Sequence, residues 1–285
     1  MVEIKNFVVN GECFNYWIDD SYYKSDIFGR SGGRKFKKFF IEFSKKCFEL
    51  NSKIALFKGF SDFPLANSER NSYASIATSG NSIEGYHIIS EYCVYIEKKT
   101  PKDEEEKVNI KNNIEHRFLD FFLVGENGFN VAIEVKNVWQ NIKSTREEPV
   151  KYCKNLINEC IKQTITHTKN RIKEQFLESE QLSNTLCVAL IISPIFFNLK
   201  DGYKSKDFKK ELNAAKEKRK EAINKINNYI VKESEKQLCR CTTIKKGLIS
   251  SVLDCQALLD KGYTHWIDGV LTDLYIGALV LQKQK

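Results

Sequence analysis

Residues 185–197, TLCVALIISPIFF, constrain the fold of this chain more than any other stretch of its 285 residues. Only Thr185 and Ser193 are polar, so an extended segment here could leave neither face in water. A strand that is apolar on both faces belongs at the centre of a sheet covered on both sides. The run is too short to cross a bilayer as a helix, which takes about 20 apolar residues. No apolar run of 18 residues occurs anywhere in the chain. The covering layers must come from helices elsewhere, so the sequence implies an α/β architecture.

Three stretches can supply those helices. In Arg34–Leu50, Phe36, Phe39, Phe40, Phe43, Cys47 and Leu50 recur at helical spacing, and Asn51 is placed to end the helix. Lys35, Lys38, Lys45 and Lys46 fall mostly elsewhere on the wheel, as a solvated or a phosphate-contacting face. Glu147, Glu148 and Pro149 set acids and a proline in the first turn of a helix running to about Leu182, with room for a break. A Lys/Glu-rich helix occupies about 205–236. The tail, 248–281, reads as a short helix followed by strands ending in Tyr275–Leu281. Residues 82–97 fit both periods, and the helix is the preferred reading there. The expected organisation is an N-terminal extension over 1–80 packed on a core of 81–200. The basic helix and C-terminal strands of 201–285 then belong to the same domain.

Between these lies a hairpin signal. Glu115–Val124 and Phe129–Val138 are strand-like runs joined by the turn residues Gly125-Glu-Asn-Gly128. Asp120 interrupts the first run and Glu134 and Lys136 interrupt the second, each among apolar neighbours. Acids in such places are costly unless paired or metal-bound. The period of two puts Glu134 and Lys136 on one face, and pairing across a hairpin can bring Asp120 near Glu134. Two converging carboxylates suit Mg²⁺, which takes one or two protein carboxylates and keeps several waters; Val135, between Glu134 and Lys136, could add only its backbone carbonyl. A lysine two positions on can polarise water or offset phosphate charge. The alternative is structural, an ion pair of Lys136 with Asp120 or Glu134, or one exposed sheet face. The Glu-x-Lys spacing occurs four times in the chain, and only at 134–136 does it sit inside an apolar strand.

The order of hairpin acid, Glu-x-Lys, long helix and buried strand resembles the PD-(D/E)XK nuclease superfamily over roughly residues 82–197. That resemblance implies a restriction-endonuclease-like core, a central mixed β-sheet flanked by helices, with helical and strand additions at both termini. It implies that Asp120 and Glu134 bind Mg²⁺ (or Mn²⁺) and that Lys136 is the catalytic lysine. Leu119 stands where the family often has Pro. Many members carry a further acid on the helix before the sheet, for which Glu84, Glu91 and Glu42 all qualify, Glu91 being preferred. Gln163 sits where some recombination-type members have a Gln, although a solvent-facing side chain is the plainer reading. The implied activity is hydrolysis of DNA phosphodiesters, as in restriction or anti-phage defence, with a homodimer or a partner subunit compatible. The rival is a non-catalytic nucleic-acid-binding or assembly subunit that retains the fold.

Charge and cysteines bear on the partner and the compartment. The net charge of +8 lies wholly within residues 200–246, which hold 15 Lys/Arg against 7 Asp/Glu. Lys204, Lys206, Lys209, Lys210, Lys216, Lys218, Arg219, Lys220 and Lys225 crowd this stretch, with Glu211, Glu217 and Glu221 among them. Such a helix is either a solvated face laced with ion pairs or an arm along a phosphate backbone. His116, four residues before Asp120, reads as structural or phosphate-contacting. No basic-then-apolar leader is present, so nine reduced thiols and a cytoplasmic location are expected, with no membrane partner; no Cys-x-x-Cys pair is present, so a zinc site is not expected. Cys239, Cys241 and Cys255 form a weaker candidate for an iron–sulfur site.

Overall fold

The computed structural model describes residues 2–24, 26, 28, 32–57, 63–97, 114–141, 151–169, 172–173, 185–198, 208–259, 265–266 and 269–283. The chain opens with the hairpin β1 (Val2–Val9) and β2 (Glu12–Tyr22), followed by helices α1 (Gly33–Ala55) and α2 (Glu69–Asn81). Strands β3 (Tyr86–Glu97), β4 (Ile114–Gly125), β5 (Phe129–Asn137) and the short β6 (Gln140–Asn141) come next. Helix α3 (Lys151–Lys169), β7 (Ile172–Lys173) and β8 (Leu186–Asn198) precede the long α4 (Phe208–Leu238). The chain closes with β9 (Ile244–Asp254), α5 (Gln256–Leu259), β10 (His265–Trp266) and β11 (Gly269–Lys283).

Among the described residues, eleven strands join one mixed sheet in the order β1-β2-β9-β11-β8-β5-β4-β3-β7, with β10 on β11 and β6 on β8. The apolar run 186–198 is β8, at the middle of that order. It pairs antiparallel with β11 on one side and parallel with β5 on the other. Its side chains divide as its composition demands. Val188, Leu190 and Ile192 pack with Phe36, Phe40, Phe43 and Ile76 of α1 and α2. Ala189, Ile191 and Ile195 pack with Ile157 and Ile161 of α3 and Ile226 and Ile230 of α4. Each such Val, Leu or Ile side chain contributes roughly 1.5–3 kcal/mol by leaving water. The class is α/β, with helices on both faces of the sheet. The sheet draws on all three stretches of the chain: the N-terminal hairpin pairs not with its neighbours in sequence but with β9.

Several expectations change. Residues 86–97 are a strand paired along β4, not a helix, so the alternating pattern wins there. The helix that precedes the strand lies at 69–81, capped by Ser68, whose Oγ accepts from the Asn71 amide at 3.3 Å. The α1 apolar stripe is buried as expected, but the helix runs past Asn51 to Ala55. Asn51 is fully buried, donating to the Cys47 carbonyl at 2.9 Å and accepting from the Leu65 amide at 3.0 Å. It ties two elements together rather than ending one. Helix α3 ends at Lys169, and Ile172 and Lys173 pair with β3, so the expected helix is interrupted there; its expected end at Leu182 lies outside the described residues. Its expected start at Glu147, Glu148 and Pro149 lies outside the described residues. Residues 248–254 are strand, and the short helix follows them.

Candidate functional site

Strands β4 and β5 pair from Gly125/Phe129 to Phe121/Ile133 and no further. The next opposed pair in that register would be Asp120 and Glu134, so both acids sit where the two strands part. On its other side β4 pairs with β3 at Phe121/Ser90 and Leu119/Tyr92, but the Asp120/Glu91 step between them is missing. Glu91 there has φ 51°, the left-handed region, in which a side chain other than Gly, Asn or Asp is strained. Asp120 thus lies at a gap in both ladders. The backbone groups released there need new partners. The Val135 amide finds one in Asp120 Oδ2, at 2.7 Å.

Helix α2 supplies the rest of the rim. Its approach to the sheet depends on Gly80, where a Cβ would stand 2.1 Å from Ile88 Cδ1. Tyr73, packed on the Phe121 ring at 4.8 Å, donates its hydroxyl to Asp120 Oδ1 at 2.5 Å. Glu69, in the first turn, accepts from Lys136 Nζ at 3.1 Å. On the opposite face, α3 presents His167, whose Nε2 lies 2.8 Å from Glu134 Oε1. The Cys160 thiol contacts the Glu134 carbonyl at 3.5 Å. The site therefore spans the sheet at one strand end, with α2 on one side and α3 on the other.

Electrostatics follow from this packing. Glu134 is 5% exposed, and burial pushes its carboxyl above the ordinary range. The His167 hydrogen bond opposes that rise and the Asp120 charge adds to it. For Lys136, burial works to lower the pKa, but Glu69 and then Asp120 more than offset it, so the ammonium stays charged. Burial and the bond to Asp120 raise the Tyr73 hydroxyl, which remains a donor. His167 Nδ1, Gln163 Oε1 and both polar ends of Asn137 are buried without a hydrogen-bond partner among the described residues.

Of the residues singled out by sequence, Asp120, Glu134, Val135 and Lys136 converge here. None of Glu84, Glu91 and Glu42 makes any of the hydrogen bonds that build this site, and all three are exposed. The acid on the helix before the sheet is Glu69, because the helix itself lies upstream of where it was expected. The Ser68 cap just before a periodic Tyr73–Ile76–Gly80 stretch was a readable signal for that helix. Tyr73 and His167 carried no comparable signal. Gln163 is half-buried rather than solvent-facing. His116 lies in β4 opposite Tyr95, and its side chain is outside the described residues.

Among the described residues, no three His, Cys, Asp or Glu side chains could hold a metal ion unaided. What is present is a two-carboxylate donor set, which fits Mg²⁺ with water filling the remaining positions. The amide and carbonyl of a strand residue point the same way. The Val135 amide bound to Asp120 therefore places the Val135 carbonyl on the acids' side.

The basic stretch divides. Lys218 and Lys220 are exposed, while Lys225 pairs with Glu221 one turn away at 2.8 Å. Lys204 and Lys206 lie outside the described residues, as do the side chains of Lys209, Lys210 and Lys216. Arg219 is 7% exposed and sealed against β9 and β11. It donates through Nε to Asp273 Oδ2 at 2.7 Å and through Nη2 to Asp273 Oδ1 at 2.5 Å and Asp254 Oδ1 at 2.8 Å. It is thus a structural cation, not a phosphate contact. Cys241 and Cys255 pack in clusters on opposite faces of the sheet, which separates that candidate iron–sulfur set. No helix among the described residues is long and apolar enough to cross a membrane.

Searches of the chain against protein-family models, curated proteins and solved structures found no match.

Proposed function

We propose that this protein is a Mg²⁺-dependent nuclease that hydrolyses DNA phosphodiesters at the parting of β4 and β5. One observation carries the reading: Asp120 and Glu134 hold opposed positions just past the last β4–β5 pair, close enough for the Asp120 charge to act on Glu134, and Glu69 holds the charged Lys136. In this reading the core is restriction-endonuclease-like, with Glu69 as the further acid, and a role in restriction or other defence against foreign DNA fits it. The nine unpaired thiols fit a reducing compartment such as the cytoplasm.

Asp120, Glu134 and the Val135 carbonyl would hold the ion. When bound, Mg²⁺ lowers the pKa of a coordinated water and neutralises charge on the phosphate. The chain's own groups do the rest. Tyr73 and the Val135 amide fix the Asp120 carboxylate, each occupying one oxygen and leaving lone pairs free. His167 orients Glu134 from behind. Lys136, kept protonated by Glu69 and Asp120, acts as a positive charge facing the phosphate rather than as a base.

The test is plasmid cleavage with Mg²⁺, with and without EDTA, beside Glu134→Gln and Lys136→Ala. Cleavage is expected to vanish with EDTA and in both variants. Cutting that survives both substitutions overturns the assignment.

A further inference from the structure

Three residues beyond Lys136 the chain carries Trp139, a residue that is 46% exposed. An exposed tryptophan is unusual, and this one is also held by several contacts. Its Nε1 donates to the Asn67 carbonyl at 3.2 Å, two residues before Glu69, which holds Lys136. The ring packs on Phe196 with centroids 5.0 Å apart. Its backbone is pinned as well: the Cys153 thiol donates to the Trp139 carbonyl at 2.8 Å, and the Val138 amide donates to the Ile192 carbonyl at 2.8 Å. Ser193, fully buried, donates to the Val138 carbonyl at 2.6 Å. Folding therefore fixes a flat apolar surface at the rim of the site and leaves much of it in water.

A nucleobase is the ligand whose chemistry matches a preset aromatic face beside a phosphate-directed lysine. Stacking on such a face needs the base to be out of a duplex stack. We infer that Trp139 is the platform on which an unpaired base next to the scissile phosphate stacks, making the preferred substrate a single strand, or a duplex frayed or overhanging at that position. The inference rests on the phosphodiesterase reading for its placement beside the scissile bond, but the stacking itself is a binding event that can be read without turnover.

The experiment uses the full chain carrying Glu134→Gln, without metal, and titrates it with a fluorescently labelled single-stranded oligonucleotide and with a blunt duplex of the same sequence. Trp139→Ala is expected to weaken single-strand binding roughly 5- to 100-fold and leave duplex binding within about twofold. Trp139→Phe, which keeps a ring, is expected to recover most of the loss and so separates stacking from misfolding. Equal losses on both ligands, no loss on either, or no recovery by Phe each overturn the inference. Cleavage by the otherwise wild-type chain is scored separately. If neither ligand is cut while the binding pattern holds, the nuclease reading fails and the platform stands. If cutting occurs and Trp139→Ala raises KM equally for both ligands, the platform fails and the nuclease reading stands.

Discussion

Two buried acids in one sheet, Asp273 and Glu134, are treated in opposite ways. Asp273, with no exposed surface, has both oxygens on the Arg219 guanidinium, and the half-buried Asp254 shares that cation. Burial pushes Asp273 up and Arg219 pulls it back. Glu134 has a histidine on one oxygen, and the Asp120 charge pushes it further up. One acid is matched by a permanent cation in fork geometry, an arrangement complete in itself. The other is served by a single histidine, beside a second acid held by neutral donors. The first arrangement is a fastening, whereas the second retains electrostatic capacity for a cation.

The contrast is sharpest in stability. Arg219→Met leaves Asp273 buried and uncompensated and is expected to cost about 3–5 kcal/mol in urea unfolding, while Glu134→Gln costs little or stabilises. Comparable losses from both would erase the distinction. Next in size is a cation effect: saturating Mg²⁺, at about 100 times its Kd, is expected to stabilise the wild-type chain by about 2.7 kcal/mol and Glu134→Gln hardly at all. An equal rise in both would place the ion elsewhere. Tyr73→Phe removes one donor to the Asp120 carboxylate. It is expected to lower kcat/KM about tenfold, corresponding to about 1.4 kcal/mol, with a smaller change in melting temperature. The smallest effect is on pH dependence. The raised Glu134 pKa lets the folded chain keep a proton that the unfolded chain has lost, so this group's contribution to stability falls as pH rises above the ordinary glutamate value of 4.5. The slope is at most about 1.4 kcal/mol per pH unit, and unfolding curves of Glu134→Gln should lack it.

The two clusters also differ in how readable they were. Glu134 and Lys136 stand out because charges inside an apolar strand demand explanation, and Asp120 is embedded likewise. Arg219 gave no such signal, since it sits among lysines that do face water, and only the fold shows Asp273 waiting beneath it. The hairpin of β4 and β5, the central strand and the α1 stripe are local patterns, so composition and period expose them. Residues 86–97 were misread because a strand with one exposed face and a kink at Glu91 alternates imperfectly. The helix that begins at Glu69 went unread with them. Pairings such as β2 on β9 join segments more than two hundred residues apart, and no local pattern encodes a partner at that distance.

That last pairing has a consequence for how the molecule is made. The hairpin of β1 and β2 emerges well before β9 during synthesis, but its place in the sheet is defined by β9, which ends at Asp254. At about 5–20 residues per second, the hairpin waits on the order of ten to fifty seconds for its neighbour. Over that interval the edge of β2 that will meet β9 is open to other chains, and a two-stranded ribbon is marginal alone in water. Helix α1, which buries Phe7, Phe14 and Tyr16 of the hairpin with its own phenylalanines, is already available to shelter one face. The early aromatic cluster thus acts as a placeholder that keeps the N-terminal hairpin in a usable shape until the rest of the sheet arrives.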